Sequence, residues 1–423
     1  MRFIADLHIH SKYSRATSRD LNPENLWRWS QLKGIAVTAT GDFTHPAWLQ
    51  ELKDKLEPAG NGLSTLREEF RTGEVPDTCR ADVSFVLSSE ISCIYKKNGR
   101  TRKIHAIVLA PGFSDAERIN ARLARIGNLR SDGRPILGLD AKELLKIVLD
   151  SSPEAMLIPA HAWTPHFSVF GAASGFDSLE ECFEDLTHHI HAIETGLSSD
   201  PLMNWRLSAL DRITLISNSD AHSPAKLGRE ANILDTDISY PGIMRALKTG
   251  NGFSGTIEFF PEEGKYHYDG HRSCEVSLTP KETLRHNGIC PVCGKKLTIG
   301  VMHRVEKLAD REEGHRPDNK PPFFSIIPLP EIISEALNVG TASKKVDAMY
   351  RGLLGSLGNE FRILMDIPLQ EIEAAGSPRL AEAVAKMRSG DVSIAPGYDG
   401  EFGKIRIFER FEKRSVKGQA PLF

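Results

Sequence analysis

Seven short apolar runs, separated by stretches with helical periodicity, constrain this chain more than anything else in it. They are Phe3 to His10, Gly34 to Asp42, Ser84 to Ser92, His105 to Pro111, Ala155 to His161, Ala192 to Gly196 and Thr214 to His222. Between them lie amphipathic segments such as NPENLWRWSQLK (22–33), HPAWLQELKDKLE (45–57) and DAKELLKIVLDSS (140–152). Strands that alternate with helices build βαβ units and a largely parallel sheet. Seven such runs predict closure into a βα barrel, one strand short of the common form.

In a parallel barrel the chemistry sits at the C-terminal ends of the strands. Here almost every run ends in a residue able to bind metal. The first ends in His8 and His10, which share a face because residues i and i+2 of a strand do. The second ends in Asp42, with His45 just beyond; the third reaches Glu90 and the fifth ends in His161. The sixth contains Glu194, and the seventh ends in Asp220 and His222. One His-x-His pair is a weak signal, because surface strands are polar at alternate positions anyway. Its repetition around one rim is a strong one.

His105 precedes its apolar run. It reaches the rim if its strand runs antiparallel to its predecessor, and is otherwise a surface histidine. The mixture of imidazole and carboxylate suits zinc, manganese or iron. A glutamate such as Glu90 can bridge two ions about 3.5–4 Å apart, the spacing that clamps a phosphoryl group. No Ser-His-Asp or Cys-His set is evident, and Cys79, Cys93 and Cys182 read as buried apolar side chains. HHIH (188–191) reads as a solvated helix end.

After residue 255 the rhythm stops. Between 256 and 322, His271-x-x-Cys274 is followed after fifteen residues by Cys290-x-x-Cys293. Paired short spacings across such a gap are the pattern of a structural zinc site. His271 is preferred as the fourth ligand on spacing, with His267 and His303 as rivals. GHRPDNKPPF (314–323) reads as a connector, and 323–423 as a small α+β domain. The charged tail ERFEKRSVKGQAPLF (409–423) reads as solvated chain.

A net charge of −3 carries no global electrostatic footprint, so nucleic-acid binding would need a local basic face. The segments HSKYSR (10–15), YKKNGRTRK (95–103), CGKKL (293–297) and ASKKV (342–346) offer such clusters. The start has neither the charge pattern nor the apolar run of a secretory signal, and no run approaches a membrane span. Scattered cysteines with one local CxxC favour metal over disulfides. The expected compartment is the cytoplasm.

The motifs DLHIHSKYS, ATGD, SSE, AHAW and SDAH resemble those of the PHP (polymerase and histidinol phosphatase) metal-dependent phosphoesterases. The resemblance implies a distorted seven-stranded barrel holding two or three divalent metals (Zn, Mn or Mg). It implies one metal on His8, His10, Glu90 and Asp220, a second on Glu90, His105 and His161, and a third near Asp42 and His222. The chain departs from that family at Asp42-Phe43, where members usually carry Asp-His.

A barrel followed by a zinc module and an appended domain, with LPEIISEAL and PGYDGEFG near the end, is similar to the endonuclease Q family of DNA-repair nucleases. That likeness implies hydrolysis 5′ to deaminated bases (uracil, hypoxanthine, xanthine) or abasic sites with metal-activated water, leaving a 3′-hydroxyl and a 5′-phosphate. It also implies a link to replication or repair proteins. Reading an altered base requires extruding it and stacking it in a pocket. Lys12, Tyr13, Trp163 and Phe170 are the substrate-contact candidates near the proposed ligands. The rival readings are a phosphatase of a small phosphate ester and a non-catalytic protein that binds damaged DNA.

Overall fold

The structure, a computed structural model, describes residues 1–408; the tail at 409–423 lies outside the described residues. Each of the seven expected runs contains a strand: β1 (Arg2–Asp6), β2 (Val37–Ala39), β3 (Ser84–Lys97), β4 (Arg100–Ala110), β5 (Met156–Pro159), β6 (Ala192–Glu194) and β7 (Thr214–Ile216). Strands β1 to β5 belong to one large sheet, which β8 (Ala231–Asp235) and β9 (Phe253–Glu258) extend among others, while β6 and β7 form a separate two-stranded sheet. The result is a mixed α/β fold around a large central sheet.

The pairing order explains how the rim is assembled. β1 and β2 are parallel, with Ala5 opposite Val37, and β2 and β3 are parallel, with Val37 opposite Ser84. β4 then runs antiparallel to β3 and to β5. β6 and β7 form a parallel pair, and the Ala162 N–H donates to the Glu194 carbonyl at 2.9 Å beyond the end of β5. Past β7 the chain returns to β1 through a parallel bridge between Ile9 and Ala221. There His10 N–H donates to Ala221 O at 3.2 Å and Asp220 N–H to His8 O at 2.9 Å. That bridge brings the His8–His10 and Asp220–His222 pairs side by side.

The sheet is mixed, not largely parallel. The cause is local. Asn98 (φ 54°) and Gly99 (φ 72°) are both left-handed, which is the geometry of a two-residue hairpin turn favoured by Asn-Gly. The run that starts at His105 therefore begins at Arg100, and His105 sits inside β4, opposite Ser92.

Helices cover the sheet where their caps predict. Pro23–Lys33 starts at Asn22, whose side chain accepts from Asn25 N–H, and stops at Gly34 (φ 92°). Ala141–Ser151 starts at Asp140 in the same way. The alternation of Leu7 and Ile9, both fully buried in the hydrophobic core, leaves His8 and His10 on the other face of their segment.

Beyond the sheet, β9 spans position 255, and Phe323–Ser325 pairs with it in parallel. The chain thus leaves the sheet at Glu258 and rejoins it at Phe323. Helices Leu329–Leu337, Lys344–Leu357, Glu360–Met365, Leu369–Ala375 and Pro378–Ser389 follow. A hairpin of Ser393–Ala395 and Lys404–Arg406 ends the described chain, and its PGYDGEFG loop packs on the segment around 262–272. There the backbone approaches too closely for side chains: a Cβ at Gly403 would lie 2.0 Å from Glu262 O, and one at Gly397 2.3 Å from Gly264 O. Asp399 fastens the contact, accepting from Arg272 N–H at 2.7 Å and from Thr298 Oγ1 at 2.5 Å.

Candidate metal centre

Two groups of donor atoms meet at the rim, and Glu90 belongs to both. In the first, His8, His10, Glu90 and Asp220 place one donor atom each within 4.8 Å of all the others. His10 Nε2 lies 3.0 Å from Asp220 Oδ1 and 3.2 Å from Glu90 Oε2. His8 Nε2 lies 3.7 Å from Glu90 Oε2 and 3.8 Å from Asp220 Oδ1. In the second group, Glu90 Oε1 is 2.6 Å from His105 Nδ1 and 3.0 Å from His161 Nε2. One oxygen of Glu90 therefore faces each group.

The antiparallel β4 makes the second group. Because β3 and β4 pair with Ser92 opposite His105 and Glu90 opposite Ile107, His105 reaches Glu90 across the hairpin. His161 and Asp220 project from backbone in the left-handed region, at φ 27° and 46°. Such conformations cost about 1–3 kcal/mol and persist only where the surroundings enforce them.

The orientation of the imidazoles is fixed from behind. His8 Nδ1 faces Glu194 at 3.0 and 3.1 Å. Glu194 in turn accepts from Asn218 Nδ2 at 2.9 Å and from His161 N–H at 2.8 Å. His10 Nδ1 is 3.1 Å from Asp42 Oδ1, while Asp42 Oδ2 accepts from Ser11 N–H, Ser11 Oγ and Ser14 Oγ at 2.6, 2.7 and 2.8 Å. A carboxylate on the far nitrogen of a histidine sets its tautomer and aims its other nitrogen at a metal. The aimed atoms fit that purpose: His8 Nε2, His10 Nε2 and Asp220 Oδ1 are buried without hydrogen-bond partners. Buried polar atoms that make no hydrogen bond are costly, and three pointing at one place suit a divalent cation.

The electrostatics agree. Burial disfavours a charged His8, but Glu194 and Glu90 outweigh it and raise its pKa well above the usual imidazole value. Burial opposes charge at His10 as well, and Asp42, Asp220 and Glu90 raise its pKa well above the ordinary value too. Burial would push Glu90 up, yet His105, His10 and His161 hold it well below the usual carboxylate range. A divalent metal bound there would have to displace protons that His8 and His10 carry in its absence. Affinity for divalent metal is therefore expected to fall steadily as pH drops below those raised values, with protons released on metal addition in weakly buffered solution. Chelator competition at stepped pH checks this; a pH-independent affinity would contradict it.

A separate cluster joins His271, Cys274, Cys290 and Cys293, again with donor atoms within 4.8 Å of one another. Cys293 Sγ lies 3.5 Å from His271 Nδ1. The CPVC turn closes with Gly294 N–H donating to Cys290 O at 2.9 Å and Cys290 N–H to Lys295 O at 2.7 Å. Neither rival histidine joins it. His303 Nδ1 pairs with Asp269 at 2.7 Å, and burial pushes the pKa of His267 down to about 4.

Other expected site residues stand elsewhere. Asp42 is engaged with His10 and the two serines, outside both rim groups. His222 Nδ1–H donates to the Asp220 carbonyl at 2.8 Å, and its ring packs edge-on to His10 at 4.7 Å. His45 stacks on the half-buried Tyr13 ring at 4.4 Å, and Lys12 is paired with Glu51 at 2.8 Å. Trp163 and Phe170 do not offer stacking faces. Both are 1% exposed, packed on each other at 4.9 Å, and the Trp163 indole donates to Asn204 at 2.8 Å. Phe167 is instead the aromatic beside His105, at 4.7 Å. Arg134, which donates to Glu90 Oε2 at 3.1 Å, carries no sequence signal beyond a turn-like SDGRP.

Comparison with known proteins agrees with this architecture. The family model described as the MJ0043 C-terminal domain matches residues 328–391, the helical segment. The uncharacterized protein MJ0043 of Methanocaldococcus jannaschii is 31% identical over 303 residues, which is 70% of this chain and 37% of that protein. The chain therefore spans well under half of MJ0043. The lesion-specific endonuclease PfuEndoQ from Pyrococcus furiosus superposes with a TM-score of 0.84 at 31% identity, over 98% of both chains. A structure of Endonuclease Q with a 27-mer duplex substrate carrying an abasic lesion at the active site gives 0.82 at 31% identity, over 99% of both. A match of that identity over the whole of both chains shows the kinship: the chain belongs to the endonuclease Q family.

Proposed function

We propose that this protein is a metal-dependent DNA-repair endonuclease. It hydrolyses the phosphodiester 5′ to a deaminated base (uracil, hypoxanthine or xanthine) or an abasic site and leaves a 3′-hydroxyl and a 5′-phosphate. The observation that carries the reading is Glu90, whose two oxygens each face one group of ligand atoms. That is the arrangement for clamping a phosphoryl group between attacking and leaving oxygens. The duplex with an abasic lesion at the active site of an endonuclease Q supports the substrate class.

In this reading the strands from β1 to β7 form a distorted seven-stranded barrel. His8, His10, Glu90 and Asp220 hold one divalent ion and Glu90, His105 and His161 a second, with zinc, manganese and magnesium as candidates. Such ions supply Lewis acidity and bring the pKa of water at the site close to neutral. The chain's own residues do the positioning. Glu90 fixes the separation of the two groups, Glu194 and Asp42 hold His8 and His10 in one tautomer, and the left-handed backbone at Asp220 and His161 aims both into the rim.

His271, Cys274, Cys290 and Cys293 hold a structural zinc. Cys290→Ser with Cys293→Ser is expected to remove one zinc per chain and loosen the PGYDGEFG contact, because structural zinc contributes about 10 kcal/mol or more in isolated fingers. Elemental analysis with proteolysis around 262–300 checks this; full zinc content in the double variant would contradict it.

The reading is tested by parallel incubation with p-nitrophenyl phosphate, an undamaged duplex and a duplex with one uracil or abasic site. Cleavage of the damaged duplex alone is expected. Turnover of the small ester alone would favour a phosphatase. Retention of damaged DNA without turnover would favour a binding protein.

A further inference from the structure

The cation built into the rim is Arg134. Among the described residues it is the Arg or Lys whose side chain reaches a carboxylate of either ligand group, through Nη1 to Glu90 Oε2 at 3.1 Å. The bond is made end-on with one donor, although guanidinium and carboxylate normally pair two by two. Nε and Nη2 make no hydrogen bond among the described residues, so the remaining donors of the fork are uncommitted. The side chain is 28% exposed while Glu90 is fully buried. The guanidinium therefore lies at the open side of the ligand groups.

The loop that carries Arg134 is pinned to the rim. Asp132 Oδ1 accepts from Arg134 N–H at 3.1 Å and from Arg15 N–H at 3.3 Å. Gly133 N–H donates to Tyr13 O at 3.0 Å, and Thr44 Oγ1 to Gly133 O at 3.2 Å. Gly133 lies so close to the Asp42 shell that a Cβ there would be 2.3 Å from Asp42 Oδ2 and 2.4 Å from Ser14 Oγ. On the other side, Ser92 N–H donates to Pro135 O at 3.0 Å, and Ile136 pairs with Ser92 two residues beyond Glu90. A loop held this firmly, carrying a guanidinium that keeps donors free beside Glu90, is preorganised for an anion. Of the other cations close by, Lys12 is paired with Glu51 at 2.8 Å, and Arg229 is bonded to the Ser219 and Asp220 carbonyls at 2.7 and 3.2 Å.

We propose that Arg134 binds a non-bridging oxygen of the scissile phosphate and stabilises the negative charge that builds on it during hydrolysis. The inference rests on the endonuclease reading above for the identity of the phosphate, not for its binding. In the step, the oxygen of a water molecule joins phosphorus and the bond from phosphorus to the leaving 3′-oxygen breaks. The proton lost by the water ends on that oxygen. Arg134 exchanges no atom; it contributes fixed donors where charge develops.

Arg134→Ala is expected to lower kcat on the lesion duplex about 10²–10³-fold, the loss seen when one such donor is removed. KM should change far less, because many other contacts hold the duplex. Metal content should match the wild type. Arg134→Lys should retain part of the rate, and added guanidinium chloride should restore part of it to Arg134→Ala. Inorganic phosphate titrated calorimetrically into the metal-loaded protein should bind at least about tenfold more weakly to the alanine variant, the weight of one charge-assisted bond. Unchanged kcat with unchanged phosphate affinity would overturn the proposal. So would parallel loss of metal and rate, since Arg134 would then be a support for Glu90. If the wild type cut no lesion duplex while Arg134 still governed phosphate affinity, the endonuclease reading would fail and this one would stand.

Discussion

Glu90→Ala is expected to abolish strand cleavage and to empty both rim groups of metal together. Each group takes one oxygen of this carboxylate, Oε2 at 3.2 Å from His10 and Oε1 at 2.6 Å from His105, so no other single substitution removes a donor from both. Ions held there would be worth several kcal/mol of charge stabilisation at a reacting phosphate, which corresponds to an expected rate loss of at least about 10³-fold. Asp220→Ala and His8→Ala each touch one group and should leave metal in the other. All three variants should still retain damaged DNA, since the ligands contribute little to its binding surface. Metal stoichiometry measured beside cleavage separates the cases. A Glu90→Ala protein that keeps full metal content would contradict the bridging role.

The second large effect lies far from the rim. Lys33, at the end of helix Pro23–Lys33, pairs with Glu360 at 2.7 Å, and the two side chains are only 5% and 4% exposed. Glu360 also accepts from Tyr350 Oη at 2.8 Å and from Leu329 N–H at 3.1 Å, so one carboxylate ties three helices of the C-terminal segment to the sheet domain. Glu360→Ala strands a buried ammonium, a hydroxyl and a backbone donor, and is expected to cost about 3–5 kcal/mol. Replacing both partners by apolar residues, Lys33→Met with Glu360→Leu, should cost much less, because no buried charge is left unpaired. Urea unfolding followed by circular dichroism distinguishes the two. Equal losses in the single and double variants would mean that the pair itself, not the stranded charge, carries the stability.

The sequence makes the rim legible because its residues sit at strand ends with regular spacing. His8, His10, Glu90, His161 and Asp220 follow from that alternation, and the His271–Cys293 cluster follows from paired short spacings. What escapes it depends on contacts between distant segments. The antiparallel turn was written in Asn98-Gly99, but the surrounding lysines and arginines read more readily as a basic surface. Asp42 and Glu194 have the chemistry of ligands, and only the distances to His10 and His8 show them standing behind the imidazoles. Trp163 lies two residues past His161, and neighbourhood in sequence does not reveal that its ring points into the core. Arg134 lies in a loop whose only visible feature is a turn composition, so its place over Glu90 emerges only when that loop is pinned by Asp132 and Tyr13. The glycines of PGYDGEFG likewise acquire a reason only where two backbones meet.

Mapping the ends of the cut strand tests the central claim most directly. A duplex labelled at the 5′ end of one strand, carrying a single uracil, hypoxanthine or abasic site, is incubated with the metal-loaded protein and resolved on a sequencing gel. Hydrolysis by the rim site predicts one EDTA-sensitive fragment that ends immediately 5′ to the lesion and carries a 3′-hydroxyl that a polymerase extends. The altered nucleotide should remain on the downstream piece, with no adduct trapped by borohydride, because a direct attack of water on phosphorus forms no covalent intermediate with the protein. Release of free base, a trapped adduct, cutting that survives EDTA, or equal cutting of an undamaged duplex would contradict the account.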